Sequence, residues 1–159
     1  MHVLADQQQG ECGDAGRDPV LAPPGRELGF GIEGDRGIGM YGAFVWAAIA
    51  LAGNIKALAV RGRVHAVFSI YADKPVHDVA TALAQLVDVW HLYQMKGRRA
   101  LDIEGLESVL RVAHHAAKIM IHGSLREALR IVDDCEPLDT VVIFGSFEVA
   151  GEALEILDA

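Results

Sequence analysis

From Val64 onward the chain alternates between two apolar patterns, and this alternation limits what it can fold into. Residues 64–70 form a short apolar run that suits a buried strand. Val76, Val79, Ala80, Leu83 and Leu86 then fall at helical spacing, with Asp73 placed to cap that helix and Pro75 tolerated in its first turn. Residues 87–93 are strand-like again, and Asp102 opens a second helix with Ile103, Leu106, Val109 and Leu110 on one stripe. Residues 118–122 make a brief strand. Ser124 and Glu127 have capping-box spacing at the start of a third helix through Val132. Residues 140–144 are a strong β run, and Gly145-Ser146 turns into a terminal helix carrying Val149, Ala153, Leu154 and Leu157. Strands alternating with helices predict an α/β fold, a mainly parallel sheet with helices on both faces. Ligands of such sheets gather beyond the C-terminal ends of the strands, so residues 71–74 and 145–147 form the expected functional edge.

The upstream part is different. Residues 1–36 are rich in Gly, Pro, Gln and Asp and lack periodicity, which predicts a flexible lead before a domain over 37–159 whose regular part is 64–159. Residues 37–55 carry no charge and approach the length of a membrane span. Their glycine and alanine content weakens the drive to insert, and a buried or partner-facing helix is favoured over a membrane anchor. Gly29-Phe30-Gly31-Ile32-Glu33-Gly34 and Gly37-Ile38-Gly39-Met40-Tyr41-Gly42 both match Gly-x-Gly-x-x-Gly. Neither follows a strand-like run, and no acid lies between Asp35 and Asp73 to take a ribose, so a Gly-rich loop is favoured over a dinucleotide site. With 52% hydrophobic and 23% charged residues the chain is globular in type. A net charge of -8 argues against nucleic acid, whose phosphates need clustered Lys and Arg. Two distant cysteines, Cys12 and Cys135, and an N-terminus without a basic, apolar leader point to the cytoplasm.

The two edge segments also carry a family resemblance. Val64-His65-Ala66-Val67-Phe68-Ser69-Ile70-Tyr71-Ala72-Asp73-Lys74 resembles the first block of the C-terminal domain in folylpolyglutamate/dihydrofolate synthases of the Mur ligase family, where a strand runs into an Ala-Asp-Lys-Asp turn. Val87-Asp88-Val89-Trp90-His91 is similar to the next strand of that family, and Gly97-Arg98-Arg99-Ala100 to the loop after it. Val141-Val142-Ile143-Phe144-Gly145-Ser146-Phe147 resembles its strand and Phe-Gly-Ser-Phe turn. The resemblance covers about residues 50–159. It implies a Rossmann-like Mur ligase C-terminal domain within an enzyme that uses ATP and Mg²⁺ to activate a carboxylate of dihydropteroate or folate for attack by the amine of glutamate.

The chain departs from the family in places. Pro75 stands where a second Asp is usual, and Glu148 and Val149 where Tyr and Thr are. Tyr41-Gly42-Ala43-Phe44-Val45-Trp46 replaces the family's Asp-x-Ala-His-Asn-Pro motif, which implies weakened ATP contacts. The sequence holds no Gly-Lys pair, hence no Gly-x-x-x-x-Gly-Lys-Ser/Thr phosphate cradle. These features suggest a truncated or rearranged copy that is inactive alone and needs no cofactor of its own, with an N-terminal ATPase domain encoded elsewhere as its partner. The alternatives are a non-catalytic binding module that keeps the fold, or a small membrane-anchored protein using 37–55.

No catalytic residue is assigned. The candidate substrate- or nucleotide-binding residues are Asp73, Lys74, Gly145, Ser146 and Phe147. A lysine at a strand's C-terminal edge can neutralise a phosphate or carboxylate, and Asp73 can orient it; an N-cap Asp beside a solvated Lys is the plainer alternative. A Gly-Ser turn at a helix N-terminus presents N–H groups to an anion. The plainer alternative there is that Ser146 caps the last helix and Phe147 fills the core. His114 and His115 point apart on a helix, His122 lies on the next strand, and no Glu or Cys completes a ligand set, so no metal site is expected.

Overall fold

The structure, a computed structural model, describes residues 3–5 and 40–159. Strands β2 (Val64–Ser69), β3 (Val89–Tyr93), β4 (Lys118–His122) and β5 (Thr140–Gly145) occupy the four apolar runs. With β1 (Val3–Ala5) they form a sheet in the order β1-β5-β2-β3-β4, and every neighbouring pair is parallel. The helices are α1 (Met40–Ala57), α2 (Val76–Leu83), α3 (Ile103–Ala113), α4 (Leu125–Ala128), α5 (Ile131–Asp134) and α6 (Phe147–Leu157).

Side chains of a strand alternate between faces, and the two faces carry separate cores. On one, Ala66, Phe68, Ile70, Trp90, Leu92 and Val142 meet Leu51 and Ile55 of α1, Val79 and Leu83 of α2, and Leu106 and Leu110 of α3. On the other, Val67, Tyr93, Val141 and Ile143 meet Leu125, Ala128 and Val132 near α4 and α5, and Val149 and Ala153 of α6. β2 is therefore buried at every position. This accounts for its mostly apolar run, interrupted only by the buried His65 and Ser69, because strands covered on both faces do not alternate. Val67, Leu83 and Ile143, three residues expected inside, are all buried. Each such aliphatic side chain contributes about 1.5–3 kcal/mol on burial.

Three local expectations need correction. Val3–Ala5 forms a strand within the stretch expected to be irregular, pairing with β5 through Val3–Val141, Leu4–Val142 and Ala5–Ile143. Three apolar residues are enough to occupy backbone groups on the outer side of β5. The helix expected through Val132 breaks in two. Arg130 N–H bonds to the Glu127 carbonyl, Val132 to Leu129 and Asp133 to Arg130, so i→i−3 bonds replace the α pattern between α4 and α5. The capping box forms at Ser124 as expected, its Oγ accepting from Glu127 N–H at 3.2 Å, but the return bond shifts by one residue, the Glu127 carboxylate accepting from Gly123 N–H at 2.8 Å.

The rest of the irregular lead, including the first Gly-x-Gly-x-x-Gly stretch, lies outside the described residues. The second stretch enters the structure only at Met40, in the first turn of α1. Among the described residues no helix is long and apolar enough to cross a membrane.

Candidate functional site

β2 and β5 are hydrogen-bonded neighbours, with Ser69 opposite Gly145. The loops that follow them therefore leave the sheet at the same end, side by side. Parallel strands need crossovers that return to the starting end, so this rim belongs to strand C-termini alone.

The loop after β2 is held by the loop after β3. Tyr71 pairs with Ala100 in an isolated antiparallel bridge. Ala72 N–H donates to the Arg99 carbonyl at 2.8 Å, and Leu101 N–H to that of Ile70 at 3.1 Å. This brings the Arg99 guanidinium to the Asp73 carboxylate at 2.8 Å and sets it 4.7 Å from the centroid of the Tyr71 ring. The hydrogen bond from Arg99 holds Asp73 below its usual carboxylate range. Tyr71 in turn donates its hydroxyl to Glu148 on α6, and that bond raises the phenol's pKa. One chain of contacts, Asp73–Arg99–Tyr71–Glu148, thus ties the β2 loop to the first turn of α6.

Asp73 does not cap α2. Pro75 occupies the N-cap position and makes no side-chain cap bond, because the Asp73 carboxylate has turned to Arg99. Nor is Lys74 a solvated surface lysine. Its side chain is 7% exposed, with Nζ 3.7 Å from Asp73 Oδ2 and 4.6 Å from the centroid of the Phe44 ring on α1. Both plainer readings of this pair are overturned.

At the neighbouring turn, Gly145 has φ +139°, and a Cβ there would lie 1.9 Å from the Ser69 carbonyl oxygen. Only glycine fits. Ser146 is the N-cap of α6, its Oγ accepting from Val149 N–H at 3.4 Å and its hydroxyl facing Met95 Sδ at 3.8 Å. Its side chain is buried, so what this turn offers the rim is backbone. Phe147 is 73% exposed and fills no core. An apolar ring standing free at the start of α6 is a surface that a partner or ligand can cover.

Residue reasoning missed Phe44, Arg99 and Glu148 as members of this rim, whereas Tyr71 lies in the expected edge segment 71–74. Arg99 and Glu148 had been quoted only as parts of motifs, and Phe44 comes from a helix distant in sequence. Among the described residues no group of three or more His, Cys, Asp or Glu is arranged to hold a metal ion.

The family model described as "Mur ligase, glutamate ligase domain" matches residues 35–147. The chain belongs to the Mur ligase family. This Mur ligase domain is 31% identical over 114 residues to the dihydrofolate synthase/folylpolyglutamate synthase of Escherichia coli (strain K12), covering 71% of this chain and 26% of that protein. It is 27% identical over 114 residues to the enzyme of the same description from Buchnera aphidicola, covering 72% of this chain and 27% of that one. Among solved structures it resembles E. coli FolC in complex with DHPP and ADP, with TM-score 0.64, 30% identity and coverage of 72% of this chain and 26% of that chain. It also resembles Mycobacterium tuberculosis folylpolyglutamate synthase complexed with ADP, with TM-score 0.65, 26% identity, and coverage of 72% and 28%. The Mur ligase domain thus spans about a quarter of the length of the curated relatives it matches.

Proposed function

We propose that the chain acts as the C-terminal domain of an ATP-dependent folate amide ligase that joins glutamate to dihydropteroate or folate. The observation that supports this best is Lys74, held by Phe44 and Asp73 on the rim that also carries the glycine-only turn at Gly145. An ammonium held against an aromatic face is pre-positioned, so it neutralises an incoming carboxylate or phosphate with little reorganisation. Gly145, with no Cβ, lets the Ser69 carbonyl lie against the turn, and the N-terminus of α6 that follows offers backbone N–H groups to such an anion. Asp73, fixed by Arg99, orients Lys74, and the exposed Phe147 supplies an apolar wall.

ATP, when bound, supplies the phosphoryl group that activates the carboxylate. The anion-facing features of the rim fit a phosphate or a substrate carboxylate. The Mg²⁺ ligands and the phosphate cradle are assigned to a separate ATPase domain, since this sequence has no Gly-Lys pair. On this reading the chain alone has no ligase activity. The test measures ATP hydrolysis and glutamate ligation by the purified chain, alone and mixed with the isolated N-terminal domain of a folate synthase. Ligation only in the mixture is expected. Turnover by the chain alone overturns the division of labour. Binding of the N-terminal domain without turnover makes the chain a non-catalytic docking module.

A further inference from the structure

Three histidines on adjacent strands are linked ring to ring. His65 Nδ1 lies 3.1 Å from His91 Nε2, and His91 Nδ1 lies 3.0 Å from His122 Nε2. At the other end His65 Nε2 lies 3.2 Å from Asp139 Oδ2. The register explains the alignment. His91 is opposite Val67, two residues beyond His65, and His122 is opposite Tyr93, two residues beyond His91. Steps of two keep every ring on one face of the sheet and move it diagonally from strand to strand. The line starts at Asp139, immediately before β5, and ends on the last residue of the edge strand β4. Asp139, His65 and His91 are buried, whereas His122 is partly open.

We propose that Asp139, His65, His91 and His122 form a binding site for a single proton, a relay in which uptake at His122 reverses the tautomers of His122 and His91 and leaves the charge on His65, beside Asp139. The argument is one of donors and acceptors. An ionised carboxylate only accepts, so His65 must donate Nε2–H to Asp139 and accept at Nδ1. His91 must then donate Nε2–H and accept at Nδ1, and His122 must donate Nε2–H. The neutral line therefore has one allowed arrangement, with Nδ1 of His122 left to receive a proton. When a proton bonds there, the Nε2–H of His122 passes to Nδ1 of His91. The Nε2–H of His91 then passes to Nδ1 of His65, which becomes an imidazolium donating to Asp139. Each ring gains one N–H bond and loses one except His65, which keeps both. A second proton would set two N–H groups against each other across about 3 Å, so the site holds only one.

The surrounding charges favour the Asp139 end. Asp139 also accepts Arg63 N–H at 2.7 Å and Glu136 N–H at 3.3 Å, with the Arg63 guanidinium 3.7 Å away. These bonds, that from Arg63 first, hold its carboxyl below the usual range and keep it ionised. Burial, helped by His122, His65 and Lys118 of β4, lowers His91 to about 4, so the middle ring passes charge without keeping it. His122 is also lowered by burial, opposed by Glu127 of α4. Asp133 and Asp134 of α5 are exposed, and the α6 acids Glu148 and Glu152 act on Tyr93.

The test is nitrogen NMR of the imidazoles in the full chain, which distinguishes Nδ1–H from Nε2–H and neutral from charged rings. Above neutral pH all three rings are expected as Nε2–H. As pH falls, His91 should switch to Nδ1–H while it stays neutral. Asp139→Asn sharpens the test. Its amide oxygen keeps the 2.7 Å bond from Arg63 N–H and gives up the longer, 3.3 Å bond from Glu136 N–H, which turns the NH₂ toward His65 and reverses the tautomers without an added proton. His91 as Nδ1–H at neutral pH in this variant is the expected result. An unchanged Nε2–H tautomer in the folded variant overturns the relay. Should the variant not fold, the wild-type titration decides, and a His91 that keeps Nε2–H until it charges overturns it equally.

Discussion

The ammonium of Lys74 lies 4.6 Å from the centroid of the Phe44 ring, joining the β2 rim to a helix that begins before the first strand of the regular alternation. Phe44 stands in the uncharged stretch 37–55, in the helix α1. Replacing Phe44 by Leu keeps apolar volume and removes the ring's negative face. A loss of about 1 kcal/mol in urea denaturation is expected, the size of a partly desolvated cation–π contact. No change would leave Phe44 as plain packing.

Lys74→Met separates the charge from the stem. The alkyl chain still packs under Phe44, so stability should stay within about 1 kcal/mol of wild type. In a reconstituted ligase the same change should lower glutamate ligation about 100-fold, the usual effect of removing one preorganised electrostatic group. Unchanged ligation kinetics would make Lys74 a structural residue only.

Gly145→Ala tests the turn from the side of the backbone. The new Cβ would meet the Ser69 carbonyl oxygen at 1.9 Å, and the two strands are bonded along their full length, so neither can give way alone. Together with a φ of +139° this predicts a destabilisation of at least about 3 kcal/mol, measured by urea denaturation. A smaller loss would mean that the β2–β5 pair opens at its end.

The sequence displayed the strands and helices clearly because apolar period and cap chemistry are local. Lys118–His122 and the Asp102 cap, whose carboxylate accepts from Gly105 N–H at 2.7 Å, match expectation. The candidate site was legible only as two loops. That residues 71–74 and 145–147 share a rim follows from β2 and β5 being parallel neighbours. That Asp73 binds Arg99 rather than capping α2 depends on how the β3–α3 loop folds back, which no local pattern encodes. The histidine line was hidden for a sharper reason. His65, His91 and His122 sit on three strands, and only the register, a property of the pairs, places their rings in reach.

The last prediction concerns acid. His91 is lowered from 6.5 to about 4 in the folded chain, chiefly by burial. Between those values the unfolded chain binds a proton at this residue and the folded chain does not. Stability therefore falls as pH drops through that window, is fully present above about 6.5 and is lost below about 4. The loss from this residue is about 3 kcal/mol. Asp139, whose pKa is lowered by the bonds from Arg63 and His65, adds a loss of the same sign at still lower pH as its carboxylate is protonated. Urea denaturation of wild type and His91→Gln at pH 7, 6, 5 and 4 isolates the His91 part, because glutamine donates and accepts but does not titrate. The wild type should lose stability more steeply than the variant, with the gap opening below pH 6.5. Parallel lines for the two proteins would show that His91 titrates alike folded and unfolded, and that its burial between His65 and His122 carries no electrostatic cost.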